Sequence, residues 1–186
     1  MRVSHLQSNV LALKALGPAE EAQIRKMAAD EIAQIEDSVR VAWLPLALDV
    51  VLTEAVGAVC GEERLRQWGR DAIVKSGEGP LLRPFFSALR RVGLTPHAAL
   101  KAVPYGWKVV YENCGEVRYK NVSETEGAIV HENVPMMMHQ SLAYLIGTAG
   151  ALDGAMAIVG DRSATATVEV IEPNAVNYAC RWRADL

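Results

Sequence analysis

The sequence predicts an α+β fold: a helical N-terminal half, then a four-stranded antiparallel sheet made of two hairpins separated by a long helix. Three observations support it. Apolar residues recur at helical spacing up to about residue 111, and they alternate with polar residues at 116–132 and 163–183. An apolar segment, 135–159, lies between those stretches. We expect residues 1–186 to form one domain, with 1–43 as a helical arm and 44–186 as the core.

The N-terminal half carries helix start signals and apolar faces. Pro18 is followed by two glutamates, and this order is typical of the first turn of a helix. Residues 45–60 are apolar around most of a helical circumference, which predicts a buried helix that ends at Gly61. A shorter helix is expected to continue from there to about Lys75.

Two more helices are expected before the sheet. Residues 82–93 form an amphipathic pattern in which Arg83 and Arg90 share a face, either as an anion site or as a solvated surface. In the next helix, Trp107 and Tyr111 are one turn apart and can pack together. The strands follow, and in the first of them Val117 and Tyr119 alternate with charged residues.

Composition and charge exclude several classes of protein. The net charge of −3 gives no electrostatic basis for binding nucleic acid. The N-terminus lacks the pattern of a secretory signal, so we expect a cytoplasmic protein. Segment 135–159 contains three glycines and several polar residues, which favours a helix buried against protein over a transmembrane segment. Three widely spaced cysteines indicate reduced, buried thiols.

The long apolar segment offers a candidate binding site. Gly147, Gly150 and Gly154 leave a strip without side chains along one helix face, so something approaches this backbone closely. A neighbouring helix or the sheet could do so, and so could a flat ligand in a methionine-lined groove. The candidate ligand-binding residues are Met136, Met137, His139, Gly147, Gly150, Gly154, Trp107 and Tyr111.

Catalytic and metal sites have weaker support. His131, His139 and Cys114 are the best candidates for acid–base or nucleophilic chemistry, yet no motif surrounds them. His131 and Glu132 are adjacent on a strand and should point to opposite faces. Met136 and His139 could ligate copper or heme iron, but a core methionine cluster explains them as well. We therefore predict neither catalytic residues nor a metal site.

The order of elements resembles one superfamily. The resemblance rests on Pro104-Tyr105-Gly106-Trp107, the turn Cys114-Gly115-Glu116, the first hairpin, the helix 147–160, and the ending Cys180-Arg181-Trp182-Arg183. The superfamily comprises the four-vinyl reductase domain, the heme nitric oxide/oxygen binding domain and the transport protein particle subunits. In length and ending, the chain is similar to a paralogous family of myxobacterial domains related to these.

This resemblance implies a ligand-binding or assembly domain, often dimeric, with a pocket between helices and sheet. Heme-binding members carry a histidine on a helix before the sheet and a Tyr-x-Ser-x-Arg motif. Residues 119–123 depart from that motif, and His97 matches the histidine in position only, so we expect heme to be disfavoured and leave the cofactor unknown. Transport particle subunits can hold an acyl chain on a cysteine, for which Cys60 is the nearest analogue.

We therefore predict a non-enzymatic domain that binds a small molecule or acts as a sensor. It would signal through protein–protein contacts, as a homodimer or within a larger assembly. The alternative is a structural adaptor with no ligand. The third hypothesis is a small-molecule enzyme that uses His131, His139 or Cys114.

Overall fold

The computed structural model describes residues 1–79, 83, 87 and 95–183. Its helices are α1 Val3–Ala12, a 3-10 turn Leu13–Leu16, α2 Pro18–Met27, α3 Ala29–Asp37, α4 Leu46–Glu78, α5 Pro96–Val110, α6 Met136–Gln140 and α7 Leu142–Ile158. Its strands are β1 Glu116–Asn121, β2 Glu126–Glu132, β3 Thr165–Glu172 and β4 Ala175–Arg181.

The strands form one antiparallel sheet in the order β1-β2-β4-β3. Each predicted hairpin is present, and the two hairpins join because β2 pairs with β4. His131 on β2 lies opposite Val117 on β1 and Val176 on β4, so these three side chains share the face that the helices cover. The predicted α+β fold is confirmed.

Helix boundaries follow the sequence signals, with one difference near Ala28. Thr95 accepts a hydrogen bond from the Ala98 amide at the start of α5, as its position before Pro96 predicts. Gly61 has φ +75° and ψ 174°, which is not helical, so it divides the α4 span into two helical segments, as the sequence predicts, and the second reaches Glu78. Apolar residues at helical spacing from Ile24 to Ile35 belong to two helices, because Ala28 leaves the helical conformation between α2 and α3.

The helices pack in two layers around α4 and α7. Side chains of the N-terminal arm, including Leu6, Ile24 and Ile32, pack in one cluster with Leu52 and Trp68 of α4. A second cluster lies between α5, α7 and the sheet. Hydrogen bonds tie α7 to the rest of the structure.

Asp153 on α7 is the centre of those bonds. It accepts from the guanidinium of Arg66 on α4 at 2.7 Å and 3.0 Å and from the Ala166 amide on β3 at 2.6 Å. One buried carboxylate therefore joins three elements.

Glycines allow α4 and α7 to cross closely. A Cβ at Gly150 would collide with the backbone of Arg66, and a Cβ at Gly154 would collide with the backbone of Arg70 and the side chain of Ile73. The partner that approaches this part of the glycine strip is therefore a neighbouring helix.

Two further sequence predictions concern a membrane-spanning segment and the helix expected over residues 82–93. Within the described residues, no helix has both the length and the apolar character needed to cross a bilayer. The predicted helix over 82–93, including Arg90, lies outside the described residues except for positions 83 and 87.

Candidate functional site

A cavity of about 130 Å³ lies between the helices and the inner face of the sheet. Small residues form much of its wall, including Ala99, Ala102 and Gly106 of α5 and Gly147 and Ala151 of α7. An apolar cavity of about 150 Å³ in another protein is large enough to bind benzene. A single aromatic ring is therefore the size of molecule that fits here without rearrangement.

One wall of the cavity is a buried network of polar side chains. The Asn9 amide donates to Oδ1 of Asp49 at 2.8 Å, and the hydroxyl of Tyr144 donates to Oδ2 of Asp49 at 2.7 Å. The hydroxyls of Tyr111 and Tyr144 are 3.0 Å apart. Since the Tyr144 proton is directed at Asp49, the Tyr111 hydroxyl is the donor to Tyr144. The network joins α1, α4, α7 and the residue that follows α5.

Asp49 is a buried carboxylate without an ion-pair partner. Only 2% of its surface is exposed, and no basic side chain among the described residues lies within ion-pairing distance. Burial raises the pKa of Asp49 to about 6, against the lowering effect of the hydrogen bonds from Tyr144 and Asn9. Burial, followed by the nearby Asp49 charge, also raises the pKa of Tyr144 and Tyr111. Burial of the charged Asp49 carboxylate therefore lowers the stability of the folded protein.

Two residues of the cavity lining each carry a buried polar atom without a hydrogen-bond partner in the described part of the structure. The two atoms are the acceptor Oδ1 of Asn9 and the donor Nε1 of Trp107. The Trp107 ring stacks on Tyr111 with centroids 3.9 Å apart and meets the edge of His131 at 4.6 Å. Buried polar atoms without partners are uncommon in native proteins, and a ligand is one of the things that satisfies them.

His131 on β2 contributes an imidazole to the cavity. Its Nε2 donates to the carbonyl of Cys114 at 2.7 Å, which leaves Nδ1 with its lone pair. Burial lowers the pKa of His131 below its ordinary value, so the ring is neutral at neutral pH. Glu132 points to the other sheet face, where it pairs with Arg118 at 3.0 Å. Adjacent strand residues therefore do not form a catalytic dyad.

His5 on α1 is the second histidine of the lining. Its Nδ1 lies 2.8 Å from the Ser76 hydroxyl, and burial lowers its pKa to about 4. Cys114 lies beside the Glu112 carbonyl and does not line the cavity, and burial raises the pKa of its thiol. A protonated thiol is a poor nucleophile.

The predicted site residues are distributed over three places. Trp107, Tyr111 and Gly147 line the cavity. Gly150 and Gly154 lie at the crossing with α4. The remaining three are not part of the lining: Met136 and Met137 are 72% and 46% exposed, and His139 is bonded to the carbonyl of Glu172 at 2.6 Å.

The other histidine and cysteine that the sequence offers as candidates, His97 and Cys60, lie elsewhere. His97 interacts with the Tyr119 hydroxyl and packs against the edge of the Trp182 ring, outside the cavity. Cys60 is half-buried, and burial raises the pKa of its thiol. Across the described ranges, no group of three or more His, Cys, Asp or Glu side chains is arranged to hold a metal ion.

Three residues of the polar wall, Asn9, Asp49 and Tyr144, are not among the predicted site residues. Asp49 did leave a signal, because it is one of two charged residues in the apolar run 45–60. A charged residue on the buried face of a helix indicates a polar partner or a site. Its partners come from 40 and 95 residues away, and no local pattern links them.

No protein-family model and no curated protein matches the sequence. Solved structures do match. The unliganded Fe(II) H-NOX protein of K. algicida, a point mutant, has a TM-score of 0.66 and 10% identity, covering 100% of this chain and 98% of that one. An oxygen-binding H-NOX domain related to soluble guanylate cyclases, in its oxygen complex, has a TM-score of 0.63 and 10% identity, covering 98% and 95%.

The chain has the fold of the H-NOX domains. A third match, from a study of heme distortion in the H-NOX family, has a TM-score of 0.63 and 12% identity and covers 98% of this chain and 95% of that one. The resemblance to a superfamily that includes the heme nitric oxide/oxygen binding domain is thus supported at the level of the fold. The narrower similarity to myxobacterial domains stays a prediction.

The expectation that disfavours heme is wrong. It rested on the departure of residues 119–123 from one short motif, whereas H-NOX structures named for heme share this fold over nearly the whole chain. The physical reason for the error is that a buried pocket is formed by elements distant in sequence. One five-residue segment therefore tests only a small part of its wall.

Proposed function

We propose that the chain is a ligand-binding sensory domain whose ligand occupies the cavity between α1, α4, α5, α7 and the sheet. The observation that carries the proposal is the pair of unsatisfied polar atoms, Asn9 Oδ1 and Trp107 Nε1, in a lining that is otherwise mostly apolar. Ligand sites combine an apolar wall with a few polar groups that fix orientation. The H-NOX fold supports the same function, since one solved neighbour is described as oxygen-binding.

We propose heme as the cofactor, because solved structures with this fold are named for heme. The donor chemistry fits, because His131 presents a neutral imidazole whose other nitrogen donates to a backbone carbonyl, the usual arrangement of a histidine that ligates a metal. His131 would hold the iron, and heme would supply a site for a diatomic gas. Heme is much larger than benzene, so its binding would require the helices that line the cavity to separate.

Helix α7 offers a route from the cavity to the surface. Tyr144 and Gly147 line the cavity, while Leu142, in the first turn of the same helix, is 57% exposed. Met136 and Met137 on the preceding helix are exposed beside it in sequence. We propose that ligand occupancy changes the position of this end of α7 and so changes contact with a protein partner or a second copy of the chain.

The first test is heme loading of the full chain. Hemin is added to the purified protein, and the absorption spectrum is compared between wild type and His131→Ala. A Soret band that shifts or weakens in the variant supports the role of His131. A spectrum identical to free hemin in both proteins contradicts heme binding, and native mass spectrometry of the same sample then reports any other retained ligand.

A matched pair of substitutions tests the cavity itself. Ala151→Leu fills space at the lining, whereas Ala157→Leu adds the same atoms to α7 at a partly buried position outside the lining. We expect the first to weaken binding of any cavity ligand at least about tenfold and the second to leave binding unchanged. Equal effects of the two variants would contradict a ligand site in the cavity.

A further inference from the structure

The polar wall of the cavity has an excess of acceptors and of negative charge. Asp49 is ionised at neutral pH and lacks an ion-pair partner among the described residues, and each of its oxygens accepts only one hydrogen bond. A carboxylate oxygen has lone pairs for two. Asn9 Oδ1, on the side chain bonded to Asp49, accepts none. Asp49 and Asn9 Oδ1 therefore have lone pairs without donors, and the carboxylate has no cation paired with it among the described residues.

A chain of three aromatic residues begins at this acceptor pair. Tyr144 is bonded directly to Asp49, Tyr111 is bonded to Tyr144, and Trp107 stacks on Tyr111. All three residues line the cavity. Aromatic faces attract an ammonium group, most strongly where water is excluded.

The groups that could already neutralise Asp49 do not do so. The ammonium of Met1 acts on it electrostatically but lies beyond ion-pairing distance and donates to the Leu44 carbonyl at 2.5 Å. Thr53 donates to the Asp49 backbone carbonyl, not to its carboxylate. A buried, unpaired carboxylate is costly unless a partner arrives.

We infer that the cavity binds a small aromatic primary amine, whose ammonium is received by Asp49 and Asn9 Oδ1 and whose ring occupies the apolar part of the cavity. Three N–H groups match the free acceptor positions, and the positive charge matches Asp49. The cavity volume of about 130 Å³ is close to the volume that holds one benzene ring in another protein, so the arm that carries the ammonium must be short. This inference rests on the proposed ligand site and concerns the heme-free protein, because the amine and heme would occupy the same cavity.

The test uses three probes of nearly equal shape. Benzylamine, benzyl alcohol and toluene are titrated into the heme-free full chain at neutral pH, and binding is measured by calorimetry and tryptophan fluorescence. We expect benzylamine to bind about tenfold tighter or more than benzyl alcohol, because a buried charged hydrogen bond is stronger than a neutral one.

Asp49→Asn is the matched variant, because it preserves shape and removes the charge. It should reduce the affinity for benzylamine to that for benzyl alcohol and leave toluene binding unchanged. Ala151→Leu should weaken all three probes, and Ala157→Leu should weaken none.

Two results would overturn the inference. If the three probes bind equally and Asp49→Asn changes nothing, the cavity is a ligand site without amine recognition, and the proposed function survives alone. If no probe binds to the wild-type protein, the amine inference fails, and the hemin titration then decides separately whether the ligand-site proposal survives.

Discussion

Two neighbouring sides of helix α7 use small residues in different ways. On one side, Gly150 and Gly154 let the backbone of α4 approach until no space remains. On the other, Ala151 lines a cavity whose wall includes Ala102 and Gly106 of α5. The residue types are alike, so small size alone does not decide whether a gap is closed. The difference comes from the neighbouring elements. The backbone of α4 contacts the first side, whereas small residues and polar side chains line the cavity at the second.

The largest expected effect is at the closed side. Gly150→Val would place atoms against the Arg66 backbone, which cannot move without displacing α4, and should lower the free energy of unfolding by about 3 kcal/mol or more. Urea denaturation followed by circular dichroism measures this. Gly106→Val is the control, since no atom lies within 4 Å of a Cβ at that position. A similar loss at both glycines would contradict the distinction between the two sides.

The second effect concerns the buried charge of the open side. At pH 7, Asp49→Asn should raise the free energy of unfolding by up to about 3 kcal/mol, because the pKa of Asp49 rises from 3.8 to about 6 on folding and each unit corresponds to about 1.4 kcal/mol. An asparagine can still accept from Asn9 and donate to the Tyr144 hydroxyl. Thermal or urea unfolding of the two proteins measures the difference, and a destabilised variant would refute it.

The same substitution predicts a pH profile. Below pH 3.8 Asp49 is protonated in both the folded and unfolded states, so wild type and Asp49→Asn should differ little. Between pH 3.8 and about 6 the unfolded carboxyl loses its proton first, and wild-type stability falls relative to the variant. Subtracting the wild-type free energy of unfolding from that of Asp49→Asn at each pH cancels the contributions of other titrating groups such as His5. A difference that does not change with pH would mean that the carboxylate is not buried as described.

The smallest effect is expected at Gly106. A glycine in a helix interior makes the folded protein less stable than an alanine does. Because no atom lies within 4 Å of a Cβ at position 106, Gly106→Ala should raise the free energy of unfolding by about 0.5–1 kcal/mol. It should also narrow the cavity and weaken binding of a ring-sized ligand. Urea denaturation and titration with benzylamine check the two results. A destabilised variant would show that α5 is packed more closely at this point than the structure indicates.

Local patterns predicted much of the fold and little of the site. Alternation at Val117 and Tyr119 and helical spacing around Trp107 were correct because each depends on residues a few positions apart. Gly61 was predicted to end one helix before a second begins, and its non-helical backbone divides the α4 span at that position. Met136 and Met137 were predicted to line a ligand groove, whereas the structure places both at the surface. The sequence of an apolar side chain does not show which neighbour covers it.

The sequence by itself determined the order of helices and strands, the two hairpins and the close approach at the glycines of α7. Those features follow from backbone geometry and side-chain size, which are local properties. Only the tertiary structure joined Asn9, Asp49 and Tyr144 into one wall, because hydrogen bonds between side chains 40 and 95 residues apart depend on how four helices pack. The cavity beside them has the same origin, since an empty space belongs to no single segment of the chain.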